Sequence, residues 1–435
     1  MKPSIPSLIS LLFLPAYAQL ESSGSTYVLS GTILNSIVPD EVPTGTEASY
    51  ISYTGTRTIS TTGTFGSGQS EPVPTLLNVT ETSGSSATTQ EVTLIGGNST
   101  RNATQTTTSA QPINTQPCNN YLEFCTRRYS NITEVAAHNS PFSRQGNAAS
   151  NQYLGVIDQL NDGVRMLQGQ VHSVNDTMYL CHSSCDMLNV GTLEDYLKTV
   201  AGWVRQHPYD VLTIILGNAN LVEVGNFTAP IQNSGITPNL YVPPEIPMSV
   251  ERWPTLSEMI LRQKRVVFFL DYKADQEEVP YILDEFSQIW ETPFSPTDVN
   301  FPCTQERPPD LSREQALSRM YIANHNLNIE VGVMGVDLLI PNTASINQTN
   351  SVDGNGSLGL MANTCISDWG RPPNFLLVDH YNIGNGSVFE VAAQLNNVKY
   401  NRTCCGQGTS PGSRVAMKSW LHLILPVASI LILTH

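Results

Sequence analysis

The chain reads as an α/β protein built on a (β/α)8 TIM-type barrel, preceded by a disordered Ser/Thr-rich stalk. Three observations predict this. Short, near-continuous apolar β-rich runs recur between residues 118 and 405. Such runs mark parallel strands covered on both faces. Helix-period segments alternate with them, and the ~290 residues involved suit a fold that typically needs ~250. The stretch before them is too poor in Leu, Ile and Phe to form a core. A doubly wound open sheet is the alternative, but no Gly-rich nucleotide turn follows the first strand.

The elements follow in chain order. Met1-Lys2, the apolar run Leu8 to Leu14 and Ala16-Tyr17-Ala18 describe a signal peptide over residues 1–18. The run is too short to cross a ~30 Å bilayer core. Residues 19–113 carry tracts such as Thr58 to Thr64 and Thr104 to Thr108, a pattern of flexible, O-glycosylated stalks. A small β domain containing Tyr50-Ile51-Ser52-Tyr53 is the competing reading there. The barrel spans 114–405. Val211 to Leu216, Val266 to Leu270 and Phe375 to Val378 are its clearest strands. A helix opens at Thr192 and stops before Pro208, with Leu193, Leu197, Val200 and Val204 on one face. A second runs from Ser387 to about Lys399, opened by a Ser387-x-x-Glu390 capping box.

The tail, residues 406–435, has small residues from Gly406 to Ser410, a polar spacer with Arg414 and Lys418, and an apolar end from Leu421 to Leu433. This order describes a glycosylphosphatidylinositol attachment signal. Gly408 is the expected attachment residue, with Gly406, Gly412 and Ser413 as alternatives. A spanning helix would need about 20 apolar residues.

Composition narrows the partners. The formal charge is −15, and a nucleic-acid binder needs a basic face. Ten Asn-x-Ser/Thr sequons stand at Asn78, Asn98, Asn102, Asn131, Asn175, Asn226, Asn347, Asn355, Asn385 and Asn401, as expected of a secreted glycoprotein. Eight cysteines fit disulfides in an oxidising compartment. Cys118 with Cys125 and Cys181 with Cys185 are expected local loops. Cys303 with Cys365, and Cys404 or Cys405 with an N-terminal cysteine, complete the expectation. Zinc is a poor reading, since only Cys181-His182-Ser183-Ser184-Cys185 groups candidate ligands.

In a barrel, functional residues gather where strands end. Three strand ends carry titratable side chains: Val135 to Ser140 with His138, Met178 to Ser183 with His182, and Leu377 to Tyr381 with Asp379. Two imidazoles can act as base and acid in a displacement at phosphorus, and a carboxylate can orient one of them. His172, His325, His380 and Trp369 are read as structural.

Order and spacing of Ala137-His138-Asn139-Ser140, Asp162 to His172, Leu180-Cys181-His182, Gly217-Asn218 and Val378-Asp379-His380-Tyr381 make residues 118–401 resemble the phosphatidylinositol-specific phospholipase C-like phosphodiesterases, in their fungal form. The resemblance implies that His138 is the general base, His182 the general acid and Asp379 the carboxylate that holds His138. It implies an inositol phospholipid or related glycolipid as substrate, which the attachment signal in the tail would let the protein meet at the outer cell surface. Asn139, Gln168, Gln170, Asn218, Lys273 and Tyr381 are the expected substrate-binding residues. Relatives neutralise the phosphate with an arginine or with carboxylate-held calcium. This chain has Gln168 and Gln170 where those groups belong, so calcium is not expected. Arg165 falls on the opposite strand face and is read as structural. A catalytically impaired barrel that binds a headgroup or glycan is the alternative.

Overall fold

The computed structural model describes residues 50–53, 55–58, 116–333 and 336–406. The predicted signal peptide, most of the predicted stalk and Gly408 lie outside the described residues.

Eight parallel strands form one curled sheet. They are β1 (Glu134–Ala137), β2 (Met166–Val174), β5 (Leu212–Asn218), β6 (Val266–Leu270), β7 (Leu283–Asp284), β8 (Ile289–Glu291), β9 (Met320–His325) and β12 (Phe375–Val378). Their spatial order is β8-β9-β12-β1-β2-β5-β6-β7, which is chain order taken around a circle. Every pairing along this path is parallel. Among the described residues no pairing joins β7 to β8. The one-turn helix α5 (Glu285–Gln288) bridges that joint.

Alternation sorts the strand residues into two layers. Ala136, Met166, Ile215, Phe269, Ile322 and Leu377 belong to an inner cluster closed at one end by Phe124, Tyr129 and Trp253. Their neighbours Val135, Leu167, Ile214, Phe268, Tyr321 and Leu376 belong to the outer cluster, beneath the helices. The helix α2 (Leu193–Gln206) buries Leu193, Leu197, Val200 and Val204 in that outer layer. Thr192 caps it by accepting from the Asp195 N–H, as its sequence predicts.

Three expectations change. Met178 to His182 is not a barrel strand. It is β3 (Thr177–His182), which turns back antiparallel on β2 and pairs with β4 (Leu188–Thr192), because β2 outruns the barrel and folds into an arm. The last helix, α8 (Ser387–Leu395), starts after Gly386 at φ 94° and has no capping box; the Ser387 hydroxyl donates instead to the Asn350 carbonyl. The disulfides join Cys118–Cys125, Cys181–Cys185 and Cys303–Cys365, so Cys404 and Cys405 pair with each other rather than with an N-terminal cysteine.

Part of the predicted stalk packs on the barrel. Arg57–Thr58 pairs antiparallel with Glu245–Ile246. The Tyr50 ring sits 5.7 Å from Tyr272 and 4.9 Å from Phe286.

Candidate active site

The inner face of β1 and β12 ends in two facing side chains. Val378 is in register with Ala137, so the next residues, Asp379 and His138, meet at the rim. His138 Nδ1 lies 2.8 Å from Asp379 Oδ1, and both side chains are buried. The carboxylate favours the tautomer with the proton on Nδ1, which leaves Nε2 with a lone pair to accept one. Asn151 reinforces the pair. Its Nδ2 donates to Asp379 Oδ1 at 3.0 Å and lies 3.2 Å from His138 Nδ1. Asn326 Nδ2 lies 3.4 Å from His138 Nε2, on the side a reacting hydroxyl would take.

The turn after β1 holds this geometry. Gln152 Nε2 donates to the carbonyls of His138 and Val378. Asn139 adopts φ 48° and donates its N–H to Gln168 Oε1 at 2.7 Å. Gln170 lies against Gly217, where a Cβ would overlap its carboxamide, so glycine makes that room.

Several acceptors in this mouth have no protein partner: Oδ1 of Asn139, Asn151 and Asn326, Oε1 of Gln170, and Oδ2 of Asp379. Buried polar atoms are normally paired, so open acceptors at the ends of β1, β2 and β12 leave room for a polar ligand's donors. Four of the five oxygens are neutral amides. A hard divalent cation wants several carboxylates, so this donor set fits calcium poorly. Among the described residues, the grouping with metal-ligand spacing is Asp162, Cys404 and Cys405, whose sulfurs are joined in a disulfide.

His182 stands at the end of the arm strand β3 rather than on a barrel strand. It is buried, with Nδ1 3.1 Å from Ser183 Oγ and its ring edge-on to Phe142 at 5.3 Å. Phe142 belongs to the same turn as His138, and its carbonyl accepts from the N–H groups of Asn151 and Gln152. One ring therefore packs His182 against the segment that positions the His138–Asp379 pair. The Cys181–Cys185 disulfide closes the loop that starts at His182.

Three expected binding residues have protein partners of their own. Tyr381 is fully buried in the outer layer, where its hydroxyl donates to Asp162 at 2.6 Å and its ring meets Phe389. Asn218 is consumed by its own loop: Nδ2 donates to the carbonyls of Val222 and Tyr272, and Oδ1 accepts from the Val222 N–H. Lys273 is held 3.7 Å from Glu223. Arg165 is structural, as expected, paired with Asp210 at 2.7 Å. The rings read as structural have structural partners. His325 Nε2 lies 2.9 Å from the Thr349 carbonyl, Trp369 donates to Cys303, and His380 stacks on Tyr153 at 3.9 Å. Burial holds His325 and His380 down at about 4, neutral at physiological pH.

Across the mouth stands a second buried group that sequence reasoning missed. Arg307 Nη1 is 3.2 Å from Glu291 Oε2, Nη2 donates to the Tyr272 hydroxyl, and the guanidinium lies over Phe294 and Phe286. Asn324 connects Glu291 to the carbonyl of Thr292. Burial lifts Asp271 to about 6, and burial with the nearby Glu291 lifts Glu285 well above the carboxylate range. Arg307 lies in a Pro-rich loop with no periodicity, so its only sequence signal was its charge.

The family model of the PI-PLC X domain, PI-PLC X 1, matches residues 124–396, more than half of the chain. The chain belongs to the PI-PLC X domain family. It is 58% identical over 339 residues to an uncharacterized secreted protein of Arthroderma benhamiae, covering 76% of this chain and 77% of the relative. It is 36% identical over 283 residues to the PI-PLC X domain-containing protein 1 of the same organism, covering 65% of this chain and 90% of the relative. Among solved structures, it superposes on the phosphatidylinositol-specific phospholipase C of Listeria monocytogenes with a TM-score of 0.40 at 11% identity, over 63% of this chain and 96% of that one. Within this PI-PLC X domain, His138 and Asp379 follow β1 and β12 and meet at the rim, and His182 ends β3 of the arm.

Proposed function

We propose that this PI-PLC X protein is a secreted phosphodiesterase that cleaves the phosphodiester of an inositol phospholipid or related glycolipid. The single observation that carries this is the buried His138–Asp379 pair ringed by open amide oxygens. His138 Nε2 takes the proton from the substrate's ring hydroxyl adjacent to the phosphate. That oxygen attacks phosphorus, and the bond from phosphorus to the glycerol oxygen breaks. His182 gives its proton to the departing oxygen. One imidazole must start neutral and the other protonated, and Asp379 beside His138 supports that ring as the aligned base. Asn139, Gln168 and Gln170 supply neutral contacts to the phosphate.

Secretion is supported by the signal-peptide pattern, the disulfides and the secreted relative. A lipid anchor at Gly408 would hold the barrel at the outer leaflet or the cell wall. The neutral glutamines favour one rival, a barrel that holds a headgroup without turning it over, because loss of an electrostatic stabiliser costs on the order of 10²–10³ in rate.

The test is hydrolysis of phosphatidylinositol by the purified full chain, with calcium and with chelator. Turnover is expected in both conditions, and His138→Ala or His182→Ala should each lower it by roughly 10²–10⁴-fold. Turnover that ignores both substitutions sinks the assignment. Headgroup binding that survives both without any turnover supports the rival.

A further inference from the structure

The sequons are not scattered evenly over the barrel. All seven asparagines of sequons within residues 116–406 are exposed. The asparagines that build the interior, such as Asn139, Asn151, Asn218, Asn324 and Asn326, are buried and belong to no sequon. Folded structure and sequon pattern therefore agree on which asparagines a glycan can occupy.

Five of the seven lie on the connections that leave the strands' mouth ends. Asn175 is in the turn of the β2–β3 arm, Asn226 follows β5, Asn347 and Asn355 follow β9, and Asn385 follows β12. The remaining two, Asn131 before β1 and Asn401 after α8, belong to the other end of the barrel. In the sheet order, β12 and β2 flank β1, with β9 and β5 next to them. The five sites thus bracket the strand that carries His138, two strands deep on each side. No sequon follows β6, β7 or β8, where Tyr50 packs on Tyr272 and Phe286 and Arg57 pairs with Glu277 instead.

We propose that N-glycans at these five positions form a fence around the His138 side of the mouth, and that the fence keeps a flat bilayer out of contact with the site. N-glycans are bulky and strongly hydrated, so lowering the rim onto a lipid surface would crush or dehydrate them. The substrate class narrows accordingly. The site acts on phosphodiesters that reach it through water, as short-chain, deacylated or extracted molecules, in preference to esters packed in a membrane. The inference rests on the phosphodiesterase reading for its catalytic consequence but not for the fence itself.

The experiment uses the full chain from a glycosylating secretory host. Two substrates are compared: phosphatidylinositol in phosphatidylcholine vesicles, and dihexanoyl phosphatidylinositol below its micelle concentration. Replacing Asn175, Asn226, Asn347, Asn355 and Asn385 by Gln is expected to raise the vesicle rate at least tenfold and to leave the soluble rate within twofold. Asn131→Gln with Asn401→Gln should change neither. Trimming the folded wild-type protein with an endoglycosidase gives the same comparison if the fivefold variant misfolds. An unchanged ratio of the two rates overturns the proposal, as does an equal change in the control pair or mass spectrometry showing the five sites bare. If no form turns over either substrate, the phosphodiesterase reading fails, and vesicle flotation decides the fence alone: the trimmed chain floats and the wild type does not, or the proposal falls.

Discussion

The two halves of the barrel mouth solve opposite problems. On the β1–β12 side, one imidazole and one carboxylate are aligned by Asn151, and the acceptors around them are left open. On the β6–β8 side, Arg307 stands among Asp271, Glu285 and Glu291, with aromatic rings over its plane. The first half is polar, nearly uncharged and unsaturated. The second is charged: Arg307 Nε and Glu285 Oε1 also lack a hydrogen-bond partner, but its charges of opposite sign lie against one another. An unsaturated group binds something that arrives, whereas a compensated one mainly holds the protein together.

The strongest way to break this contrast is Asp379→Asn. The amide keeps the shape but no longer enforces the Nδ1 proton, so turnover of soluble phosphatidylinositol should fall roughly 10²–10⁴-fold with little change in melting temperature. Full activity would show that the open half is not where the chemistry occurs. Arg307→Ala should do the reverse to stability. It strands buried carboxylates and should cost about 3–5 kcal/mol in denaturant unfolding. The cost should be smaller at pH 5 than at pH 8, because the carboxyls held high by burial are then protonated. A loss that does not vary with pH would deny the compensation.

The smallest effect concerns Asp284, which caps α5 beside the charged half and is pushed up to about 7 by burial. A carboxyl whose folded value lies above its unfolded one stabilises fully below about pH 4 and loses that contribution as pH rises through 7. Asp284→Asn can still accept the Ser287 N–H. It should therefore leave stability unchanged near pH 4 and raise it by on the order of 1–3 kcal/mol at pH 8. A penalty at pH 8 would mean that the carboxylate is ionised and stabilising there.

How far the sequence could be read depended on which kind of signal each part carries. β6 and β12 were legible because buried parallel strands leave unbroken apolar runs, and Thr192 announced its helix by cap chemistry. His138 and Asp379 stood at such strand ends. The two- and three-residue strands β7 and β8 are too short for any period to show. Asn151, Asn326 and Arg307 come from loops, where a residue's partner is set by three-dimensional closure rather than spacing. Tyr381 shows the converse. Its neighbour Asp379 points inward, so alternation about the rim did not decide its direction; the Asp162 carboxylate in the outer layer did.

The unpaired joint between β7 and β8 has a mechanical consequence. Seven edges of the cylinder are tied by ladder hydrogen bonds, and the eighth is spanned by one helical turn and side-chain contacts. A shell split along one line is most compliant across that line, and local opening follows the weakest set of bonds. Arg307 crosses that line at the mouth, held to Glu291 at the end of β8 and to the Tyr272 hydroxyl beyond β6, so this one guanidinium braces the seam that the backbone leaves untied.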